Sequence, residues 1–358
     1  MRILHALFSE GFYGSERYCA ELASYQARAG HEVRVLISGA NLDAVADFGQ
    51  ALPKLGQLIV MPAWWPRVLY RPYTRMILRQ FAPQIVHSHL DPAARRVGHV
   101  AETRGIAHIA TLHLDFHKRE HGGCAGLICI ADWQRTTIAA DYAGRVTTIH
   151  NWLSDQVACA IIETTDQAVA ALRGEWGADA VTVVFCSVGR LAPEKAMDRM
   201  IASFRDAFPR GDENVRLVIV GDGPRRAALN EAAGNDRRII FCGWQQNPAP
   251  YYRACDVYVS AAPFEPFGLT ILEAMAAGCR LLLTRAGGPV EFVNDKQVLW
   301  VEKDGLTLAA LLRQCAGGRL ERASYDLRPF SIAAVGPKID AFYRGVLSRP
   351  HETARHAS

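Results

Sequence analysis

A chain of 358 residues is more than one ordinary core fills, so two domains are expected. Half of the residues are hydrophobic and 21% are charged, a globular balance, and a net charge of +4 falls short of the basic face that nucleic acid demands. Nine cysteines, scattered without a C-x-x-C pair or zinc-like spacing, fit a reducing compartment.

Taken in order, Arg2–Phe8 reads as a buried parallel strand. The loop Gly11-Phe-Tyr-Gly-Ser-Glu16 follows, then a helix from about Ser15 to Ala29 that Gly30 ends, and a strand over 31–37. This is a βαβ opening with small residues at its first turn. The N-terminal apolar run is too short for a signal peptide, and no segment has the length to cross a bilayer. A cytoplasmic protein is expected, with peripheral attachment to the inner membrane as an option.

Leu58–Met61 is a short strand, and Pro72 suits the first turn of a helix that carries Arg71, Arg75 and Arg79 every four residues. Beside Trp64 and Trp65, these arginines fit a surface that meets anionic lipid head groups. The preferred reading is plainer: a surface helix with a solvated arginine face and its aromatics in the core. Residues 83–89 and 107–113 are strands that each finish in histidine, at the carboxyl ends where open α/β sheets bind ligands. His87, His89 and His113 invite a metal reading, but no carboxylate partner is evident, and no metal is expected.

The second half repeats the pattern. Val181–Val188 is an apolar strand that leads into Gly189-Arg-Leu-Ala-Pro-Glu-Lys195, where Arg190 offers a forked donor to phosphate and Lys195 a mobile charge. Strands follow at 216–220, 239–244, 256–260 and 280–284. The loop after Ser260 runs Ala-Ala-Pro-Phe-Glu-Pro-Phe-Gly, and a helix begins near Gly268 or Leu269, with Gly278 placed to close it. Strand, glycine-bearing loop and helix N-terminus make an anion site framed by Glu265 and Glu273. A second account stands beside this one: Thr270-Ile-Leu-Glu273 fits a capping box, and Glu265 fits a solvated loop charge.

The stretch Glu-Pro-Phe-Gly-Leu-Thr-Ile-Leu-Glu-Ala-Met-Ala-Ala-Gly closely resembles the E-x-x-x-x-x-x-x-E signature of the family 4 retaining glycosyltransferases. The resemblance extends over nearly the whole chain and is strongest from Val188 to Glu291. It implies a GT-B fold, two Rossmann-like α/β domains facing across a cleft. It places Glu265 by a donor sugar and Glu273 on the nucleotide ribose. The backbone of Phe267, Gly268, Leu269 and Thr270 falls on the diphosphate, and so do Arg190 and Lys195. His113 matches the family histidine that faces the sugar, Gly14 the remaining glycine of a phosphate loop, and Gly243 a border of the base. Ala196 stands where the family has glycine, and Trp152-Leu-Ser-Asp155 departs from its Gly-Val-Asp hinge.

The implied organisation is an acceptor-side domain over 1–156, a nucleotide-sugar domain over 157–335, and a helix over 336–358 that crosses back. The implied reaction is retaining transfer of a hexosyl or heptosyl group from a nucleoside diphosphate sugar, with no cofactor. The acceptor is a glycan or glycolipid, expected in bacterial lipopolysaccharide or another cell-surface glycan. Asp115, His117, Lys118 and Arg119 are candidates to line its cleft. The rival readings are a phosphorylase or sugar-nucleotide epimerase on the same architecture, and a silent binding subunit.

Overall fold

The computed structural model describes residues 1–9, 14–39, 58–62, 64–209, 214–317 and 321–348. The expectations for Gly11, Phe12 and Tyr13 fall outside them. The chain forms two compact units, one up to Asn151 together with the helix from Ile332, the other Trp152–Ser331. The expected divisions at 156/157 and 335/336 lie a few residues later than these.

The first unit holds a seven-stranded parallel sheet, β1 (Arg2–Leu7), β2 (Glu32–Ser38), β3 (Leu58–Met61), β4 (Ile85–His89), β5 (Ala107–Leu112), β6 (Gly126–Cys129) and β7 (Arg145–Thr148). Its order is β3-β2-β1-β4-β5-β6-β7. Every residue of β4 and β5 is buried, which explains why these strands read as continuous rather than alternating runs. Helix α1 (Gly14–Arg28) connects β1 to β2, and Gly30 closes it in the left-handed region at φ 88°. Helix α2 (Tyr70–Phe81) buries Thr74, Ile77, Leu78 and Phe81. Pro72 lies in its first turn, where its missing amide costs nothing.

The second unit holds a six-stranded parallel sheet of β8 (Val183–Val188), β9 (Val215–Val220), β10 (Ile239–Gly243), β11 (Val257–Ser260), β12 (Arg280–Thr284) and β13 (Val298–Val301), in the order β10-β9-β8-β11-β12-β13. The 157–180 segment is two helices, α3 (Asp155–Glu163) and α4 (Asp166–Glu175). Helix α5 (Met197–Ala207) buries Met197, Met200, Ile201, Phe204 and Ala207, one face at helical spacing, onto a core with Phe185, Leu217 and Leu308. Further helices are α6 (Arg226–Ala233), α7 (Ala249–Ala254), α8 (Leu269–Ala276) and α9 (Leu308–Ala316).

The last helix, α10 (Ile332–Leu347), belongs to the first unit and lies on α1. Gly336 makes this approach: a Cβ there would sit 2.3 Å from the Tyr25 ring. Asp340 of α10 accepts from Gln26 Nε2 of α1 at 2.9 Å.

Candidate active site

In each sheet the strand order reverses once, between β1 and β4 and between β8 and β11. Loops that leave two such neighbours on opposite sides open a crevice at their carboxyl ends. In the second unit those loops carry Arg190 and Lys195 after β8, and Glu265 to Gly268 after β11. Lys195 Nζ donates to Glu265 Oε2 at 2.6 Å, with the two side chains 28% and 13% exposed. Arg190 is exposed and forms no ion pair among the described residues.

Both loops are seated by glycines. A Cβ at Gly221 would lie 2.0 Å from the Gly189 carbonyl oxygen, and one at Gly223 would lie 2.5 Å from that of Leu191. Leu191 N donates to Asp222 O at 2.9 Å. The Gly-Asp-Gly turn over 221–223 after β9 therefore seats the Arg190 loop. Gly288 N donates to Glu265 O at 2.9 Å, and a Cβ at Gly287 would fall 2.1 Å from that oxygen. Ala196 has φ 47°, so the position where glycine was expected does carry left-handed backbone.

Gly268, at φ 97°, is the N-cap of α8. No side-chain cap and no acidic residue of the first turn occupies that end, so the positive pole of the helix is left for an anion. Thr270 lies inside the helix, which removes the capping-box account of Glu273. Glu273 is buried, and its Oε2 accepts from the Tyr252 hydroxyl at 2.7 Å. Thr270 Oγ1 accepts from the Tyr258 hydroxyl, also at 2.7 Å. Phe267 is buried and stacks on Phe292 with ring centres 4.9 Å apart. Gly243 stands apart from this cluster, at the end of β10 two strands out, where its carbonyl accepts from Gly221 N at 2.7 Å. Neither tyrosine was singled out in the sequence, because each falls in an apolar stretch where an aromatic reads as core.

Gly14 and His113 belong to the first unit. Gly14 is the exposed first residue of α1. His113 directly follows β5, with Tyr18 edge-on at 5.2 Å. Its Nε2 is buried without a hydrogen-bond partner, and burial lowers its pKa to about 4, so the ring is neutral at pH 7.

Behind it runs a chain of hydrogen bonds that fixes ring protons. Asp340 accepts from the Gln26 amide, so Gln26 Oε1 accepts from His5 Nε2 at 2.8 Å. His5 Nδ1 is then the acceptor for His89 Nε2 at 3.1 Å. His87 lies between the Tyr343 hydroxyl at 2.6 Å and Thr111 Oγ1 at 2.8 Å. His5, His87 and His89 offer three nitrogens within 4.8 Å of one another, and hydrogen bonds already engage all three rings. A further pair, His117 and His121, has the H-x-x-x-H spacing that sequence reading passed over. Asp91 bridges it, 2.6 Å from His117 Nδ1 and 3.4 Å from His121 Nε2.

Trp64 is 82% exposed, against the expectation that the aromatics of this segment lie in the core, whereas Phe81 is buried and Tyr70 and Tyr73 pack against that core; Val68 is exposed as well. Arg71, Arg75 and Arg79 are exposed as expected. No helix among the described residues is long and apolar enough to cross a membrane.

Two parallel-sheet Rossmann-like units are the architecture of GT-B glycosyltransferases, and comparison with known proteins places the chain in that class. The model described as Glycosyltransferase Family 4 matches residues 12–188, and the model described as Glycosyl transferases group 1 matches 182–316. The chain belongs to glycosyltransferase family 4 and has the GT-B fold. It is 26% identical to the lipopolysaccharide core biosynthesis glycosyltransferase LpsD of Rhizobium meliloti, over 98% of this chain and 100% of that one. A crystal structure of Anabaena Alr3699/HepE in complex with UDP matches with a TM-score of 0.76 at 18% identity, covering 96% of this chain and 100% of that one. WaaG, a glycosyltransferase involved in lipopolysaccharide biosynthesis, matches with a TM-score of 0.70 at 16% identity, covering 96% and 100%. At these identities the two structures speak for the fold alone.

Proposed function

We propose that this glycosyltransferase moves a sugar from a nucleoside diphosphate sugar to an acceptor hydroxyl with retention, in the synthesis of lipopolysaccharide or another bacterial cell-surface glycan. The observation that carries the reading is the Lys195–Glu265 pair beside the uncapped N-terminus of α8: a mobile cation, a carboxylate and helix amides at one switch point. When donor binds, Lys195 turns from Glu265 to the diphosphate, joined by the Arg190 fork and the backbone of Phe267, Gly268, Leu269 and Thr270. Gly14 lies by the same phosphates, Glu273 takes the ribose, and Gly243 borders the base. Glu265 and the neutral His113 hold the sugar hydroxyls.

In the reaction the bond from the anomeric carbon to the phosphate oxygen breaks, and its electron pair leaves with the diphosphate. The acceptor oxygen bonds to the same face, and its proton passes to the departing phosphate oxygen. Arg190, Lys195 and the α8 amides offset the charge that develops, so the step needs no metal. The likeness to LpsD supports the acceptor class, and the exposed Trp64 and arginines of α2 support an anionic membrane surface as the place of work.

Calorimetric titration of the full chain with UDP, GDP and ADP tests the donor site. One nucleotide is expected to bind, and Glu273→Ala to weaken it about tenfold or more, the loss of a charged hydrogen-bond acceptor. If the folded protein binds none of the three, the donor-site reading is overturned.

A further inference from the structure

We infer that Tyr252 is a specificity-determining residue that makes this site select a ribose over a 2′-deoxyribose. The inference rests on the reading of Glu273 as the ribose carboxylate and adds a residue and a selectivity to it.

A carboxylate has only acceptor oxygens, and a ribose diol presents two donors side by side. To take both hydroxyls at once, the carboxylate must hold one plane. A glutamate has three rotatable bonds, and ordering a free one costs side-chain entropy. Here that freedom is already removed. The Tyr252 hydroxyl donates to Glu273 Oε2 at 2.7 Å, and Tyr252 itself is wholly buried, one of the largest fully buried side chains of the molecule.

Both its ring and its backbone are held in place. Tyr252 lies in α7, whose next element is β11, and its ring centre is 6.0 Å from that of Tyr258 on β11. The Tyr252 carbonyl accepts from the thiols of Cys255 at 3.5 Å and Cys279 at 3.2 Å, which stand just past the ends of α7 and α8. Burial raises the pKa of the Tyr252 phenol far above its ordinary range, so the hydroxyl stays a donor at any working pH. The carboxylate is thus aimed before the ligand arrives. Tyr258 gives a built-in comparison: it is also buried, but its hydroxyl goes to Thr270 Oγ1 instead.

A pinned carboxylate gains from the second hydroxyl of the diol, whereas a mobile one adapts to a single hydroxyl nearly as well. Removing the Tyr252 hydroxyl therefore changes the ratio of two affinities, which a general loosening of the domain would leave alone. The test is calorimetric titration of the full chain with UDP, GDP and ADP, each against its 2′-deoxy counterpart, for wild type, Tyr252→Phe, Tyr258→Phe and Glu273→Ala. Wild type is expected to prefer the ribonucleotide by about tenfold or more, the worth of a hydrogen bond to a charged group. Tyr252→Phe brings that ratio to within about threefold of unity, and Tyr258→Phe leaves it as in wild type. Tyr252→Met reads the same ratio should the phenylalanine variant not fold.

The two layers fail separately. If wild type binds no nucleotide, or Glu273→Ala binds as well as wild type, the ribose assignment itself falls. If wild type is ribo-selective through Glu273 but Tyr252→Phe keeps the full ratio, or Tyr258→Phe loses it equally, the role of Tyr252 is overturned.

Discussion

Lys195 and Glu265 show how one contact carries both stability and readiness. Their oxygen–nitrogen distance of 2.6 Å and small exposure put the pair between a surface bridge and a buried one. The charges are worth little as a pair, but either charge alone is expensive to keep there. Lys195→Ala is therefore expected to cost about 1–3 kcal/mol in urea unfolding, because Glu265 is left partly buried without its cation. The double variant Lys195→Ala/Glu265→Ala is expected to be more stable than Lys195→Ala, since no orphan charge remains. A double variant less stable than both singles would mean that the pair is a net stabiliser, and that releasing Lys195 to a diphosphate is costly. Each residue was legible from its own loop motif. Their partnership was not, because it depends on β8 and β11 being neighbours, which the 68 residues between Val188 and Val257 do not announce. Tyr252 was hidden for another reason: a tyrosine in an apolar helix has the same pattern whether its hydroxyl is idle or aimed.

The segment leading into α2 belongs to the next scale, where exposure decides between two accounts of one pattern. From Trp64 to Phe81 there are arginines and no acidic residue. The buried face is filled by Ile77, Leu78 and Phe81, so the core takes no part of Trp64, Val68, Leu69 or Met76, all exposed. An apolar edge beside a one-signed cationic face is the composition of an interfacial helix. Each arginine near an anionic surface is worth about 1 kcal/mol, so Arg71, Arg75 and Arg79 together supply about 3 kcal/mol, on the order of a hundredfold in partition. The full chain is expected to float with phosphatidylglycerol vesicles and not with phosphatidylcholine vesicles. Changing the three arginines to glutamine should abolish flotation, and raised salt should weaken it. Equal flotation with both lipids, or none with either, would leave α2 an ordinary surface helix. The apolar face of this helix was legible beforehand, since helical spacing is a local property. It misplaced Trp64, because an aromatic just before a helix can fold in or out, and only packing decides.

At the scale of the whole molecule the two units differ in a way that acid should expose. All twelve histidines lie in the first unit or its C-terminal extension, and residues 152–331 contain none. Burial lowers the pKa of His5 and His113 to about 4, and that of His87 and His89 well below its ordinary value. The unfolded chain takes up a proton on each near pH 6.5, while the folded unit refuses it until far lower. Stability is thus unaffected above about pH 7 and falls as pH drops from 6.5 towards 4, by about 1.4 kcal/mol per pH unit for each such histidine. His5 and His113, each acting over about two pH units, would together remove roughly 6 kcal/mol, a large part of what a typical domain possesses, and His87 and His89 act in the same direction. The first unit is expected to open between about pH 5 and 4, before the second, which lacks this liability. Hydrogen exchange read by mass spectrometry at pH 7, 5.5 and 4.5 would locate the loss, after correction for the intrinsic pH dependence of exchange. Protection should disappear first from β1, β4 and β5 and persist in β8 and β11. The same cluster bears on His113: the neutral ring is held at the end of the sheet whose interior tolerates no proton, so a wet or charged histidine there means a unit that has already begun to unfold. Simultaneous loss of protection in both sheets would show that the units stand or fall together, and that the histidines set the acid limit of the entire chain rather than of one half.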